Sequence, residues 1–272
     1  MAANLTQLLG SFITGLHILH YNGVLDAYGH MSLRNPGDAT TFFMSRNLPP
    51  ALVSSPADIV EYRVADASPV AGADAPAGFI ERYIHSEVLR RFPAVNVVVH
   101  SHAPAVVPFG ITDAPLRPAI HLAGFLGESV PVFDIAKHYL ANDTQDLLVR
   151  NPRLGAALAA EFGAAAAGGS VSVEFPVVLM RSHGFTTCAA DIETAVFQAV
   201  YTQVNAQVQA SATDLQAAAV RGAGSGGDGV VYLTEQQAVD SWVSNSGTIQ
   251  RPYALWVRQV QVDPLYVNSV GS

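Results

Sequence analysis

The pattern of hydrophobic and polar positions alternates between helical and strand-like periods. Apolar residues recur at three- and four-residue spacing over residues 4–22, which predicts an amphipathic helix ending near Gly23. A loop rich in alanine, glycine and proline precedes a second predicted helix, from about Ile80 to Arg91. Shorter apolar runs with turn residues at their ends predict strands at 29–34, 41–44 and 59–64.

The pattern over the rest of the chain predicts more strands and two longer helices. Strands are expected up to His100, near 130–133 and over 177–180. Helices are expected within 141–167, including an alanine-rich continuation, and over 191–219 with Asp191 as the cap. No strict strand–helix–strand rhythm is present, which favours an α/β fold with a mixed, mainly antiparallel sheet flanked by helices over a Rossmann fold.

Length and composition indicate one domain spanning residues 1–272. A glycine-rich loop at 222–229 and a C-terminal extension at 230–272 are expected to belong to it. Hydrophobic residues make up 50% of the chain and charged residues 13%, which is typical of a protein that hides surface in subunit contacts. We therefore expect a homo-oligomer.

The charge of the chain indicates which partners to expect, and its cysteine content indicates the cellular compartment. The net charge is −8 and no basic block occurs, so nucleic acid and anionic membranes are not expected partners and a small molecule is. No apolar run approaches the roughly 20 residues that a membrane helix needs. The single cysteine and an N-terminus without a secretory pattern predict a cytoplasmic protein.

Histidines follow two of the predicted strands. In VNVVVHSHAP, His100 and His102 should project from the same side, because strand residues alternate faces. A later apolar strand, FPVVLM, runs into His183. A His-x-His pair by itself is more often a surface or core feature than a metal site. The presence of His183 and of the nearby acid Glu81 makes a metal site the favoured interpretation. The pattern predicts a divalent metal held by His100, His102 and His183, with Glu81 as ligand or as acid/base.

Further polar residues are candidates for substrate contact and proton transfer. Arg46 could clamp a substrate carboxylate, with Ser45 and Arg82 beside it in the substrate-binding set, although surface or structural ion pairs would also explain the arginines. His30 and His121 could exchange a proton near neutral pH, or could simply bridge backbone groups.

These motifs together resemble the class II aldolase/adducin family. The family pattern is an acid, a strand running into His-x-His, and a later His-Gly; here these are Glu81, His100-Ser101-His102 and His183-Gly184, within roughly residues 5–210. The resemblance implies an αβα sandwich, a divalent metal, and a cyclic homotetramer with the metal near a subunit boundary. Adducin-like members lack the metal ligands, whereas this chain keeps them, so a non-catalytic module is the weakest alternative.

Two departures from the family pattern narrow the expected class of substrate. Sugar-phosphate aldolases of the family carry Gly-Asn-x-Ser, whereas this chain has Gly29-His30-Met31-Ser32, and Arg46 stands where a small phosphate-loop residue would. The chain instead resembles the branch that holds decarboxylases of hydroxylated aromatic or pyridine dicarboxylates. A few members of that branch are non-haem iron oxygenases.

The sequence thus predicts a divalent-metal-dependent carbon–carbon lyase, foremost a decarboxylase of a hydroxyaromatic or related hydroxy or keto carboxylate. Cleavage leaves negative charge on carbon, and the chain's one lysine, Lys137, lies in a solvent-like helical context, so a metal is favoured over an imine as electron sink. Retro-aldol cleavage or epimerisation of a non-phosphorylated substrate and iron-dependent oxidation stay open. Zinc, manganese, iron and cobalt all suit such ligands.

Overall fold

A seven-stranded sheet forms the centre of the computed structural model, which describes residues 5–164, 171–223 and 229–270. The strand order is β3-β2-β1-β4-β7-β6-β5, and every neighbouring pair is antiparallel except the parallel pair β5 and β6. The predicted mixed, mainly antiparallel sheet is therefore confirmed. The strands are β1 His30–Arg34, β2 Thr41–Ser45, β3 Ile59–Arg63, β4 Val97–Ser101, β5 Val132–Phe133, β6 Val177–Met180 and β7 Gly184–Ala189.

Helices flank the sheet and several short 3₁₀ turns connect the elements. No helix in the described ranges is both long and apolar enough to cross a membrane. The helices are α1 Leu5–Tyr21, α2 Arg82–Arg91, α3 Val107–Ile111, α4 Pro152–Ala160, α5 Ile192–Ala223, α6 Glu235–Ser246 and α7 Gln250–Val262.

The central strand β4 carries apolar side chains on both faces of the sheet. Val97 and Val99 belong to the core that includes residues of α1 and α5, whereas Val98 belongs to the core beneath α2 and α4. Successive strand residues point to opposite faces, so an unbroken valine run serves both layers. Full burial of each such side chain contributes about 1.5–3 kcal/mol. This arrangement is the αβα sandwich that the family resemblance implies.

The C-terminal extension predicted at 230–272 folds back onto the sandwich as α6 and α7. Helix α6 begins with a capping box in which Thr234 and Gln237 satisfy each other's backbone N–H groups. It packs against the 3₁₀ helix His121–Leu126, and α7 packs against α1 and α5 through residues that include buried Trp256. The extension therefore completes one of the two cores.

The helix predicted within 141–167 is largely wrong. Residues 141–151 form a turn, bends and irregular loop, and only α4 is helical in the part of 141–167 that the structure describes; residues 165–170 lie outside it. Asn151 caps the N-terminus of α4 by accepting the N–H of Leu154, and Pro152 occupies the first turn. Proline is tolerated there because its missing N–H would have no helical partner, so this pair starts the helix at Pro152 and not near residue 141.

The sequence pattern does not predict strand β7, and it ends helix α5 too early. Every residue of GFTTCA in β7 is buried, and its mixture of threonine and apolar residues has no clear period of two. Helix α5 continues through Ala223, so residues 222 and 223 of the predicted loop 222–229 are helical, as expected when a helix propagates into an alanine-rich stretch. Residues 224–228 lie outside the described part of the chain.

The docking of α6 generates a first prediction, because it leaves no room for a side chain at Gly124. A Cβ atom there would lie 2.3 Å from the carbonyl oxygen of Ala238 and 3.0 Å from the amide nitrogen of Trp242. We expect Gly124→Ala to lower the free energy of unfolding by about 1–3 kcal/mol, measured by urea denaturation.

Gly247→Ala is the matched control. Gly247 has a helical φ of −71°, and the nearest atom to its added Cβ would be 3.8 Å away. We expect this variant to be neutral or slightly stabilising. Equal stability of the two variants would contradict the close packing of α6.

Candidate metal centre

Four side chains converge at one end of the central strands. The candidate ligand atoms of Glu81, His100, His102 and His183 all lie within 4.8 Å of one another. The Nε2 atom of His102 is 3.0 Å from that of His100 and 3.1 Å from that of His183. Oε2 of Glu81 is 3.6 Å from Nε2 of His100 and 3.5 Å from Nε2 of His183. The structure therefore brings together all four residues that the sequence predicts as ligands.

The three histidines come from two neighbouring strands. His100 lies in β4 and His102 follows its last residue, so both project from the same end. His183 belongs to the tight connection between β6 and β7, where Met180 pairs with Gly184. Ser182 in this turn has a left-handed φ of 58°. This reversal carries the chain from β6 into β7 and places His183 beside the end of β4.

Gly184 allows this end of β7 to approach β4 closely. A Cβ atom at Gly184 would lie 1.9 Å from the carbonyl oxygen of Ser101 and 3.0 Å from the Cα atom of His102. No side chain fits such a gap, so glycine is required for the approach. The Ser101 hydroxyl points away from the histidines and donates to the carbonyl of Val24 at 2.5 Å.

Glu81 precedes α2 instead of lying on it, which corrects the sequence expectation of a helix from about Ile80. Helix α2 begins at Arg82, and Glu81 is its N-cap residue with φ −82° and ψ 17°. The carboxyl group is buried, and its Oε1 accepts the backbone N–H of Val149 at 2.9 Å. This bond leaves Oε2 to face the histidines.

Each histidine uses its other ring nitrogen to contact a neighbouring group. Nδ1 of His183 lies 3.1 Å from the carbonyl oxygen of Leu147, Nδ1 of His102 lies 3.3 Å from both carboxylate oxygens of Asp26, and Nδ1 of His100 lies 3.3 Å from the hydroxyl of Thr186. A carbonyl or carboxylate only accepts, so the proton of His183 and of His102 is placed on Nδ1. Such outer contacts are typical of metal-binding histidines.

The donor set fits a divalent cation. With protons on Nδ1, the Nε2 lone pairs of His102 and His183 face each other across 3.1 Å, an arrangement that a shared cation would stabilise. Burial, followed by the neighbouring histidines, lowers the pKa of His100 well below its usual value, so this ring is neutral as a ligand must be. Burial also lowers the pKa of His183, but the hydrogen bond and charge of Glu81 outweigh it and the net shift is upward.

The centre opens into a cavity of about 600 Å³. Glu81, His102 and His183 line one side of it, and Phe79 and Leu148 are among the apolar residues of its walls. The volume and the mixture of apolar walls with a few converging polar groups are typical of a site for a small molecule.

His30 also lines this cavity and ends a buried polar chain. Its Nδ1 lies 2.7 Å from Nε2 of His85, and Nδ1 of His85 lies 2.7 Å from the hydroxyl of Ser32. Burial, followed by the charge of nearby histidines, lowers the pKa of His30 well below its usual value, and burial lowers the pKa of His85 to about 3. Both rings are therefore neutral near pH 7.

Sequence reasoning missed His85, although one signal was available. His85 follows Glu81 by four residues at the start of α2, a spacing that places two side chains on the same face of a helix. Asp26 and Leu147, which contact His102 and His183, carry no comparable signal, because their contacts join segments far apart in the chain.

Two further candidates, Arg46 and Ser45, lie beside the cavity without lining it. Arg46 donates from Nε to Oδ1 of Asp58 at 2.9 Å, and its side chain is 44% exposed. The next residue, Asn47, is part of the cavity wall. Ser45 is buried, and its hydroxyl has no hydrogen-bond partner among the described residues. Roles for Arg46 and Ser45 in substrate binding stay predictions.

Arg82 and His121 are placed elsewhere. Arg82 donates to the carbonyl oxygens of Ala67 and Phe79, which ties the loop before α2 to the start of that helix. His121 is exposed at the start of a 3₁₀ helix, and its carbonyl oxygen accepts from Asn245 of α6. Neither side chain lines the cavity of this chain, and their roles in substrate binding and proton transfer stay predictions.

Similar sequences indicate that this protein is an enzyme. Decarboxylase tropJ of Talaromyces stipitatus is 49% identical over 258 residues, which cover 95% of this chain and 96% of the relative. A 3,4-dihydroxyphthalate decarboxylase of Arthrobacter keyseri is 29% identical over 192 residues, covering 67% and 69% of the two chains. These relatives identify the protein as an enzyme, which removes the non-catalytic alternative.

Solved structures and a family model agree on the fold. An aldolase II superfamily protein of Pseudomonas syringae superposes with a TM-score of 0.72 at 15% identity, covering 98% of this chain and 96% of the other. An L-fuculose 1-phosphate aldolase of Glaciozyma antarctica superposes with a TM-score of 0.67 at 18% identity, covering 97% and 92%. The model of the class II aldolase and adducin N-terminal domain matches residues 13–210. The chain therefore belongs to the class II aldolase and adducin family, in the branch that resembles hydroxyaromatic decarboxylases.

Proposed function

We propose that the protein is a divalent-metal-dependent carbon–carbon lyase that decarboxylates a hydroxyaromatic or related hydroxy or keto carboxylate. The observation that carries this proposal is the convergence of Glu81, His100, His102 and His183 at a small cavity with apolar walls. Relatives named as decarboxylases support the reaction class. A homotetramer located in the cytoplasm remains part of the prediction.

Decarboxylation leaves the electron pair of the broken carbon–carbon bond on the substrate. A divalent cation held by the four residues would stabilise the resulting charge through an adjacent hydroxyl or carbonyl oxygen of the substrate. An imine formed with lysine would be the alternative, but Lys137 is exposed and does not line the cavity. The chain's own residues therefore favour metal-assisted cleavage.

The cavity walls are suited to hold a planar ring. Phe79, Leu147 and Leu148 present apolar surface next to the candidate ligands. An aromatic substrate would bury its ring against them and displace water from the reacting carbon. Exclusion of water strengthens the electrostatic stabilisation of charge that develops during the reaction.

His30 is the residue that we assign to proton transfer. Its Nδ1 is engaged by His85, so Nε2 is the ring nitrogen available to a substrate in the cavity. In the tautomer whose Nδ1–H donates to Nε2 of His85, the neutral ring has its lone pair on Nε2. Nε2 can then accept the proton of a substrate hydroxyl and return it to the carbon that has lost carbon dioxide. The bond to His85 fixes the orientation of the ring throughout.

Loss of two ligands tests the metal centre. We expect the double variant His100→Ala, His102→Ala to lose its bound divalent metal, because only Glu81 and His183 would remain of the four donors. Elemental analysis of the purified proteins measures this loss. His138→Ala is the control, since that ring stacks on Phe133 away from the site and its removal should leave the metal content unchanged. Unchanged metal content in the double variant would refute the assignment.

Product analysis tests the reaction. We expect the metal-loaded protein to release carbon dioxide, with and without oxygen, from at least one member of a panel of hydroxylated benzoates and phthalates. Release of an aldehyde or keto acid without carbon dioxide would indicate retro-aldol cleavage. Consumption of oxygen would indicate an iron-dependent oxygenase, and a product that differs only in configuration would indicate an epimerase.

Replacement of His30 tests proton transfer. We expect His30→Asn to lower kcat about 10²-fold or more, because a positioned acid/base contributes roughly 10²–10⁴-fold, while metal content is retained. Steady-state kinetics of carbon dioxide release measures the change. His20→Asn is the control, since His20 contacts Tyr266 of the C-terminal segment and is outside the cavity. A normal kcat in His30→Asn would assign the proton to another group.

A further inference from the structure

Residues 146–149, called the strap below, contact two of the four candidate ligands. We propose that the strap positions Glu81 and His183 for metal binding and that it does so through the left-handed backbone of Leu147. This inference rests on the metal centre of the proposed function. It concerns backbone groups outside the ligand set, so it can be tested by metal affinity without a substrate.

Two backbone groups of the strap make the contacts. The carbonyl oxygen of Leu147 accepts from Nδ1 of His183 at 3.1 Å, which leaves the lone pair of this ring on Nε2. The N–H of Val149 donates to Oε1 of Glu81 at 2.9 Å, which leaves Oε2 facing the histidines. One short segment thus sets the tautomer of one ligand and the orientation of another.

The two contacts depend on an unusual backbone conformation. Leu147 has a φ of 68°, which costs an L-residue with a Cβ roughly 1–2 kcal/mol. The chain bends at Leu147, and the carbonyl of Leu147 and the N–H of Val149 contact His183 and Glu81 from outside the centre. Strain of this kind persists where surrounding contacts enforce it, and it is concentrated at functional sites.

Neighbouring groups hold the strained residue in place. The hydroxyl of Tyr139 accepts the N–H of Leu147 at 2.9 Å. The N–H of Leu148 donates to Oδ1 of Asp146 at 3.2 Å, and Asp146 forms an ion pair with Arg150. The side chains of Leu147 and Leu148 also line the cavity, so the strap supports the ligands and forms part of the substrate wall.

An isomeric substitution at Leu147 distinguishes the contribution of the backbone conformation to metal affinity from that of the side chain. Leu147→Ile keeps the number of atoms but adds a β-branch, which disfavours positive φ. We expect its affinity for cobalt(II) to fall about 10-fold or more, as is typical when the outer contacts of metal ligands are lost. Leu147→Asn, which tolerates positive φ, should stay within about threefold of the wild type. Competition against a chromophoric chelator measures the cobalt(II) affinity of the intact chain, and the visible absorption of bound cobalt(II) reports its coordination.

Leu140→Ile is the matched control, because Leu140 is exposed, has no positive φ and does not line the cavity. Its cobalt(II) affinity should equal that of the wild type. Thermal unfolding of the metal-free proteins shows whether each variant folds. If Leu147→Ile does not fold, Tyr139→Phe replaces it, since this change removes only the hydroxyl that accepts the N–H of Leu147, and we expect a severalfold loss of affinity.

The outcomes test the proposed role of the strap separately from the proposed reaction. Wild-type affinity in folded Leu147→Ile, or in Tyr139→Phe, overturns the proposal, as does equal loss in Leu147→Ile and Leu147→Asn, which would assign the effect to the leucine side chain. Wild-type protein that does not bind cobalt(II) overturns the metal centre and the strap together. If cobalt(II) affinity depends on the strap but the protein has no decarboxylase activity, the role of the strap is supported and only the proposed reaction is refuted.

Discussion

The antiparallel pairing of β4 with β7 is the constraint on which the site depends. It joins residues more than 80 positions apart in the chain, with Ser101 opposite Phe185 and Val97 opposite Ala189. At the open end of this pair the backbones approach so closely that position 184 has space only for glycine. That approach places His183 against His102, with their Nε2 atoms 3.1 Å apart, so the pairing in the middle of the sheet also brings the candidate ligands together.

The placement of the candidate ligands then depends on hydrogen bonds to the side-chain atoms that face away from the centre. Glu81 is fixed by the N–H of Val149, His183 by the carbonyl of Leu147 and His102 by the carboxylate of Asp26. These contacts determine which nitrogen or oxygen faces the centre, and therefore whether four polar groups can share one cation. Asp26 and Leu147 also line the cavity, so the same loops support the candidate ligands and form part of the cavity wall.

The buried chain from Ser32 through His85 to His30 gives the site a second polar element beside the candidate ligands. Sugar-phosphate aldolases of the family carry asparagine where this chain has His30. In this chain the imidazole needs a partner for Nδ1, and His85 from α2 supplies it at 2.7 Å. Burial keeps both rings neutral. A neutral, oriented imidazole suits proton transfer at a substrate oxygen or carbon better than it suits binding of a phosphate dianion.

By itself, the sequence determined the mixed sheet, α1, most of α2, the strand into His-x-His, and the identity of the four converging residues. These follow from local periodicity and from strand ends, which depend on residues close together in the chain. It did not determine β7, the start of α4, the folding of the C-terminal extension, or the contacts of His85, Asp26 and the strap. Those features were decided only by tertiary structure, because burial on both faces removes the alternation that marks a strand and because backbone hydrogen bonds between distant segments do not depend on side-chain identity.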